Sequence, residues 1–225
     1  PPPPLLPKKI QMSAKTPVIH HHPAHQPNTR PPLLFVHGGY SNAALWGVRF
    51  IPYFQDLGYD CYALELSGHG GRPTDRAHLD DFGIDDYVAD LAAAVASLPA
   101  APVLIGHSMG SLVSQRFLER GTARAVAFLA PVPPTGTGGT ASRFALTMPD
   151  FFAELPNAVN GTASEKTMRT MARVYFSPSM APEESIQYLP LIQPESEKAV
   201  AEMLTAPLRI ARGRARIPAL VMGGS

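Results

Sequence analysis

The sequence predicts an α/β fold, a doubly wound and mostly parallel sheet with an inserted helical cap. Three observations carry that prediction. Five short apolar runs, each bounded by glycine, proline or histidine, read as strands buried on both faces of a sheet. A stretch of helical periodicity lies between the second run and the third. About 85 residues, Val132 to Arg216, separate the fourth run from the fifth and carry helical patterns without a convincing strand.

The elements follow in order. Residues 1–30 are rich in proline, which cannot donate ladder hydrogen bonds, so this segment is expected to be partly disordered, with Pro17 to His21 as a candidate edge strand. "LLFVH" (Leu33 to His37) is the first buried run and ends at Gly38-Gly39; "YDCYALEL" (Tyr59 to Leu66) is the second. "GIDDYVADLAAAVASL" places Ile84, Tyr87, Val88, Leu91, Val95 and Leu98 on one helical face. "PVLIGH" (Pro102 to His107), "ARAVAFLAP" (Ala123 to Pro131) and "IPALVMG" (Ile217 to Gly223) complete the set. Strand–helix alternation implies right-handed crossovers. The expected organisation is therefore a Pro-rich segment (1–30), a core (31–131), a helical cap (132–216) and a final core strand (217–225). The cap interval contains Phe144, Met148, Phe151, Phe152, Met168, Met171, Tyr175, Phe176 and Met203. Most of this flexible apolar set is expected to pack the cap itself, and the remainder to cover an apolar cleft.

Composition narrows the function classes. The 225 residues are 45% hydrophobic and 16% charged, with a net charge of +1, which provides no footprint for nucleic acid. The single cysteine, Cys61, excludes an internal disulfide and reads as a small buried side chain. His20, His21, His22 and His25 cluster, but no second ligand segment accompanies them, so neither a metal nor a cofactor is expected. No run approaches the roughly 18 apolar residues of a membrane span, and no signal peptide is legible; a cytoplasmic location is the expectation. Nothing in the sequence reports an oligomeric state.

The chemistry concentrates in two motifs. Gly106-His107-Ser108-Met109-Gly110 fits G-x-S-x-G between an apolar strand and a helical pattern (Leu112, Val113, Phe117, Leu118). To project a hydroxyl from a strand tip the chain must turn so tightly that only small residues fit at positions 106 and 110. The second motif, "LLFVHGGYSNAALW", follows a strand with glycines. A hydrolytic serine needs two N–H groups aimed at the oxyanion; Met109 supplies one candidate, and Gly39 or, less directly, Tyr40 the other. His37 is expected to brace its own loop, and His107 to point away from the elbow. His69 and His78 have no orienting carboxylate at a motif spacing, and Asp75, Asp80 and Asp81 read as a charged surface loop.

In order and separation these motifs resemble the α/β-hydrolase superfamily, in particular its capped, serine-nucleophile members, over roughly residues 31 to 225. "HGGYSNAALW" is similar to the family's oxyanion segment with a downstream tryptophan, Trp46. "ELSGHGGR" (Glu65 to Arg72) resembles its glycine-rich loop, and "GHSMGS" its elbow, with Ser111 where relatives often carry glycine. The resemblance implies an α/β-hydrolase fold whose last strand and helix are missing, Ser108 as nucleophile, and Gly39 and Met109 as the oxyanion hole. It further implies a catalytic acid just after "IPALVMGG" and a histidine later still, whereas no histidine follows His107. "PVPPTGTGG", the family's other place for the acid, has no carboxylate.

The expected protein is thus a C-terminally truncated serine hydrolase of carboxylic esters or thioesters, taking a small apolar acyl substrate, whose fragment lacks activity by several orders of magnitude. A lyase or carbon–carbon bond hydrolase on the same scaffold, and a non-catalytic binding module, are the alternatives. Loss of a final strand would leave residues 217–222 as an exposed apolar edge.

Overall fold

In a computed structural model the chain forms a six-stranded sheet flanked by helices on both faces; the structure describes residues 16–26, 29–70, 76–181, 184–185, 187–206 and 217–223. The Pro-rich residues 1–15, Asp75, Arg72, residues 207–216 of the expected cap, and Gly224 and Ser225 lie outside the described residues.

The strands are β1 (Val18–His22), β2 (Leu33–Val36), β3 (Cys61–Glu65), β4 (Val103–His107), β5 (Ala125–Leu129) and β6 (Ala219–Met222). Their order across the sheet is β1-β3-β2-β4-β5-β6. Only β1 runs antiparallel, pairing Ile19 with Leu64 on β3, so the expected edge strand exists, shifted by one residue from Pro17–His21 to Val18–His22. The central pairs β2–β3, β2–β4, β4–β5 and β5–β6 are parallel.

Strand alternation sorts the apolar runs onto two faces. Leu34, Val36, Leu64 and Leu104 join α2 (Ile84–Ser97) and α3 (Met109–Phe117) in one core, with Tyr87, Leu91, Leu112 and Val113. Leu33, Phe35, Ala63 and Ile105 point the other way, onto Ala43, Trp46 of the 3₁₀ turn Ala43–Gly47, and Ile51 of α1 (Phe50–Asp56). Phe35 and Trp46 pack at a ring distance of 5.0 Å. Residues with odd and even numbers are both buried because the sheet is covered on both sides. Cys61 is fully buried and free, and burial pushes its thiol up to about 12, as befits a packing residue.

Between β5 and β6 lie the α-helices α4 (Gly138–Thr147), α5 (Pro149–Val159), α6 (Glu165–Tyr175) and α7 (Glu197–Leu204), with a 3₁₀ turn at Leu189–Leu191. The first three bury their aromatic rings on one another. Phe144, Phe151, Phe152 and Tyr175 form a chain of edge contacts at 5.2–5.9 Å, and Met171 is fully buried. Glu154 on α5 takes hydrogen bonds from Lys166 and Thr167 on α6. Part of the interval packs on the main body. Val132, Ala199 and Ala206 belong to the main core, and Glu202 of α7 accepts from the Ile84 amide at the start of α2. At the opposite extreme, β6 leaves Leu220, Val221 and Met222 at 54%, 65% and 51% exposure. No helix among the described residues is long and apolar enough to cross a membrane.

Candidate active site

Ser108 joins β4 to α3 with φ 48° and ψ −115°. A serine adopts this region only under constraint, and the constraint is visible on either side. A Cβ on Gly106 would lie 2.7 Å from the Gly110 carbonyl oxygen, and one on Gly110 would lie 2.3 Å from the Val36 oxygen and 2.5 Å from that of His37. Only glycine fits either position. The Ser108 amide donates to the Leu129 carbonyl at 3.0 Å, and the adjoining Ala130 amide, itself at φ 42°, donates to Met222 at 2.7 Å. Ser111, where the resemblance expects glycine, donates from its hydroxyl to the Ser108 carbonyl and accepts from the Val132 amide at 3.0 Å. Met109 opens α3, so its amide belongs to the first turn, whose N–H groups have no intrahelical acceptor and face developing negative charge favourably.

The loop after β2 lies beside this turn. A Cβ on Gly38 would meet the Ser108 Cβ at 3.2 Å, and one on Gly39 would meet the Met109 sulfur at 3.8 Å. The two sequence motifs are thus brought together. His37 is fully buried and braces its loop as expected. Its Nδ1–H donates to the Gly38 carbonyl at 2.9 Å and its Nε2 accepts from the Leu66 amide at 3.3 Å. Burial, helped by the neighbouring His69, holds its pKa well below the ordinary value, so it stays neutral. His107 packs against the edge of Trp46 at 6.4 Å, and burial lowers its pKa.

His69 departs from the sequence expectation. A carboxylate does orient it, supplied from 126 residues away, because Glu195 Oε2 lies 2.9 Å from His69 Nε2 with both side chains wholly buried. The other nitrogen, Nδ1, lies 3.1 Å from the Ser67 carbonyl, which can only accept. Nδ1 therefore donates, and with a carboxylate against Nε2 the arrangement favours the protonated ring. Burial alone would lower its pKa, but the hydrogen bond and charge of Glu195 outweigh burial and raise it. Glu195 is satisfied by three further donors: the Tyr87 hydroxyl (2.9 Å), the Ser196 amide (2.8 Å) and the Tyr40 amide (3.3 Å). The last of these occupies one of the candidate oxyanion donors. No local pattern in the sequence marks Glu195; only the polar cluster "QPES" ahead of α7, within a largely apolar interval, hints at it. His78, by contrast, is exposed beside the exposed Asp81, at 3.1 Å. The Asp80 carboxylate accepts from the Glu197 amide.

The N-terminal histidines part company along β1. His20 reaches Glu65 at 3.5 Å, His21 stacks on Tyr62 at 4.4 Å, and His25 bonds Asp56 at 2.7 Å. Among the described residues no group of three or more His, Cys, Asp or Glu side chains is placed to hold a metal. A cavity of about 670 Å³ opens along β1 and β3, lined by Val18, His20, His22, Glu65, His69 and Arg76; Ser108 is not in its wall.

Comparison with known proteins bears on the fold and the family. A model described as the alpha/beta hydrolase family matches residues 33–224. The rice (Oryza sativa subsp. indica) protein "Probable esterase PIR7A" is 33% identical over 144 residues, covering 59% of this chain and 52% of that protein. The chain thus spans about half the length of the curated rice relatives it matches. Among solved structures, an esterase from Exiguobacterium antarcticum superposes with a TM-score of 0.66 at 13% identity, over 91% of this chain and 75% of that one. An enol-lactonase from Burkholderia xenovorans LB400 gives 0.62 at 15% identity, over 93% and 78%. At these identities the structures speak for the fold.

Proposed function

The chain belongs to the alpha/beta hydrolase family, and from that premise we propose that it carries the nucleophile of a serine hydrolase acting on carboxylic ester or thioester bonds. The observation that supports this most is the left-handed turn at Ser108, set between a buried strand and a helix N-terminus and walled by glycines that admit no side chain. In this reading the Ser108 hydroxyl attacks the acyl carbon, its proton passes to a general base, and the carbonyl electron pair moves to oxygen. The amides of Met109 and Gly39 receive that charge; Tyr40, whose amide is engaged by Glu195, holds the loop instead. Collapse of the tetrahedral species expels the alkoxide or thiolate, which takes the proton. Water then releases the acyl group by the same steps in reverse.

The base is assigned to neither His37 nor His69, since both nitrogens of each are engaged. The reading assigns the general base and its orienting acid to none of the described residues. No metal or redox group has a role in this sequence of steps. An ester, rather than another acyl donor, is favoured by the rice relative's name. A small apolar acyl group is the proposed substrate.

The test uses p-nitrophenyl acetate and a fluorophosphonate probe. Full-length protein is expected to turn over the ester and to be phosphonylated at Ser108, with both lost in Ser108→Ala. Turnover that survives Ser108→Ala, or a label that maps elsewhere, sinks the reading.

A further inference from the structure

The segment Gln193 to Ser196, which leads into α7, lies along the loop on which the proposed chemistry depends. The Gln193 amide donates to the Tyr40 carbonyl at 3.1 Å, and its side-chain oxygen accepts from Asn42 Nδ2 at 3.1 Å. Two residues on, the Glu195 carboxylate takes the Tyr40 amide. Tyr40 is therefore gripped by both its carbonyl and its amide. It needs the grip, for it stands at φ 59°, a region that an L side chain adopts only when its surroundings impose it. The same carboxylate oxygen would lie 3.4 Å from a Cβ on Gly39, so the clamp is immediately beside the candidate oxyanion donor.

A carboxylate in that place would by itself oppose a developing oxyanion, since like charges in a buried site repel strongly. Here it is balanced. His69 donates to the same oxygen that holds Tyr40, while Tyr87 and the Ser196 amide fill the other. The Ser196 hydroxyl in turn caps α7 through the Ala199 amide and donates to the Phe82 carbonyl, which fixes the segment to the body.

We propose that Glu195 is a positioning residue for the oxyanion loop: anchored by His69 and Tyr87, its carboxylate fixes the Tyr40 amide and so aims the Gly39 amide at the substrate oxygen. The catalytic half of this inference rests on Ser108 as nucleophile; the clamp itself does not. The charged and titratable groups that face His69 are Glu195 from the segment before α7, Glu65 from β3, His37 from the end of β2 and Tyr87 from α2. Loss of the His69 proton would leave Glu195 uncompensated beside the oxyanion. The rate of acyl transfer should therefore fall on the alkaline side of the ordinary histidine range.

Hydrogen exchange at the Tyr40 amide, measured on the full-length protein, tests the clamp without reference to activity. Glu195→Ala is expected to speed that exchange at least tenfold while amides in the middle of α2 keep their protection. It is also expected to lower kcat for p-nitrophenyl acetate at least tenfold, with KM within twofold. Unchanged Tyr40 exchange in a folded Glu195→Ala protein overturns the clamp, and faster exchange with unchanged kcat overturns the positioning role while leaving the hydrolase reading intact. No turnover by the unsubstituted protein overturns that reading and the catalytic half together, and the exchange result still decides the clamp. Should the alanine variant not fold, Glu195→Gln keeps an oxygen for Tyr40 but no charge. It is expected to flatten the alkaline limb of kcat, and an unaltered limb overturns the proposal.

Discussion

The strand that presents Ser108 and the strand two places away are built on opposite terms. On β4, Leu104 is fully buried and Ile105 nearly so, helices cover both faces, and the turn at its tip is locked by backbone on every side. On β6 more than half of each apolar side chain from Leu220 to Met222 faces solvent, and the described pairing is with β5 alone. The difference shows where strain can be kept. A left-handed serine persists only where its neighbours over-determine it, and the centre of the sheet does so while the edge contributes little beyond ladder hydrogen bonds.

Substitutions can break this contrast or sharpen it. The largest loss is expected from His69→Ala, which leaves the buried Glu195 charge without its counter-ion and should cost about 3–5 kcal/mol in urea unfolding. Gly110→Ala comes next, at roughly 3 kcal/mol, because the new methyl meets two carbonyl oxygens of β2 and its loop that cannot move aside. Gly139→Ala is the control, with nothing within 4 Å of its Cβ; it should stay within roughly 0.5 kcal/mol of the parent. Ser111→Ala removes the hydroxyl that serves both Ser108 and Val132, and should cost roughly 1–2 kcal/mol. Smallest in stability is Val221→Lys, on a strand whose side chains are mostly exposed in these 225 residues, expected within roughly 0.5 kcal/mol. Its readout is light scattering, where the added charge should reduce self-association.

The buried pair also sets a pH dependence with a definite sign. Because the folded pKa of His69 is raised, its contribution to stability is fully present below the unfolded histidine value of about 6.5 and is lost as pH rises through the folded value. The stability gap between the parent and His69→Gln, followed by melting temperature, should therefore be widest near pH 6 and narrow on the alkaline side. A gap that widens with pH would contradict the imidazolium assignment.

Much of this was legible in the chain. The strands announced themselves because a sheet covered on both faces needs unbroken apolar runs, and the tight turn at Ser108 because its steric demand falls on five consecutive residues, Gly106 to Gly110. The helical face at 84–98 was read correctly, with Ala94 as the buried position it omitted. What escaped was Glu195. Its role comes from partners at positions 40, 69 and 87, each more than 100 residues distant, and no local spacing encodes such a meeting. For the same reason the sequence assigned the whole interval 132–216 to a cap, whereas α7 buries Ala199 in the principal core. Alternation and periodicity report which face of an element is wet, not which distant element will dry it.

Ser111 gives the long helical excursion between β5 and β6 a mechanical point of departure. Its single hydroxyl holds the excursion's first amide, that of Val132, while leaning on the carbonyl of Ser108. The first residue of that excursion and the Ser108 turn therefore share one oxygen, and neither can shift without the other feeling it.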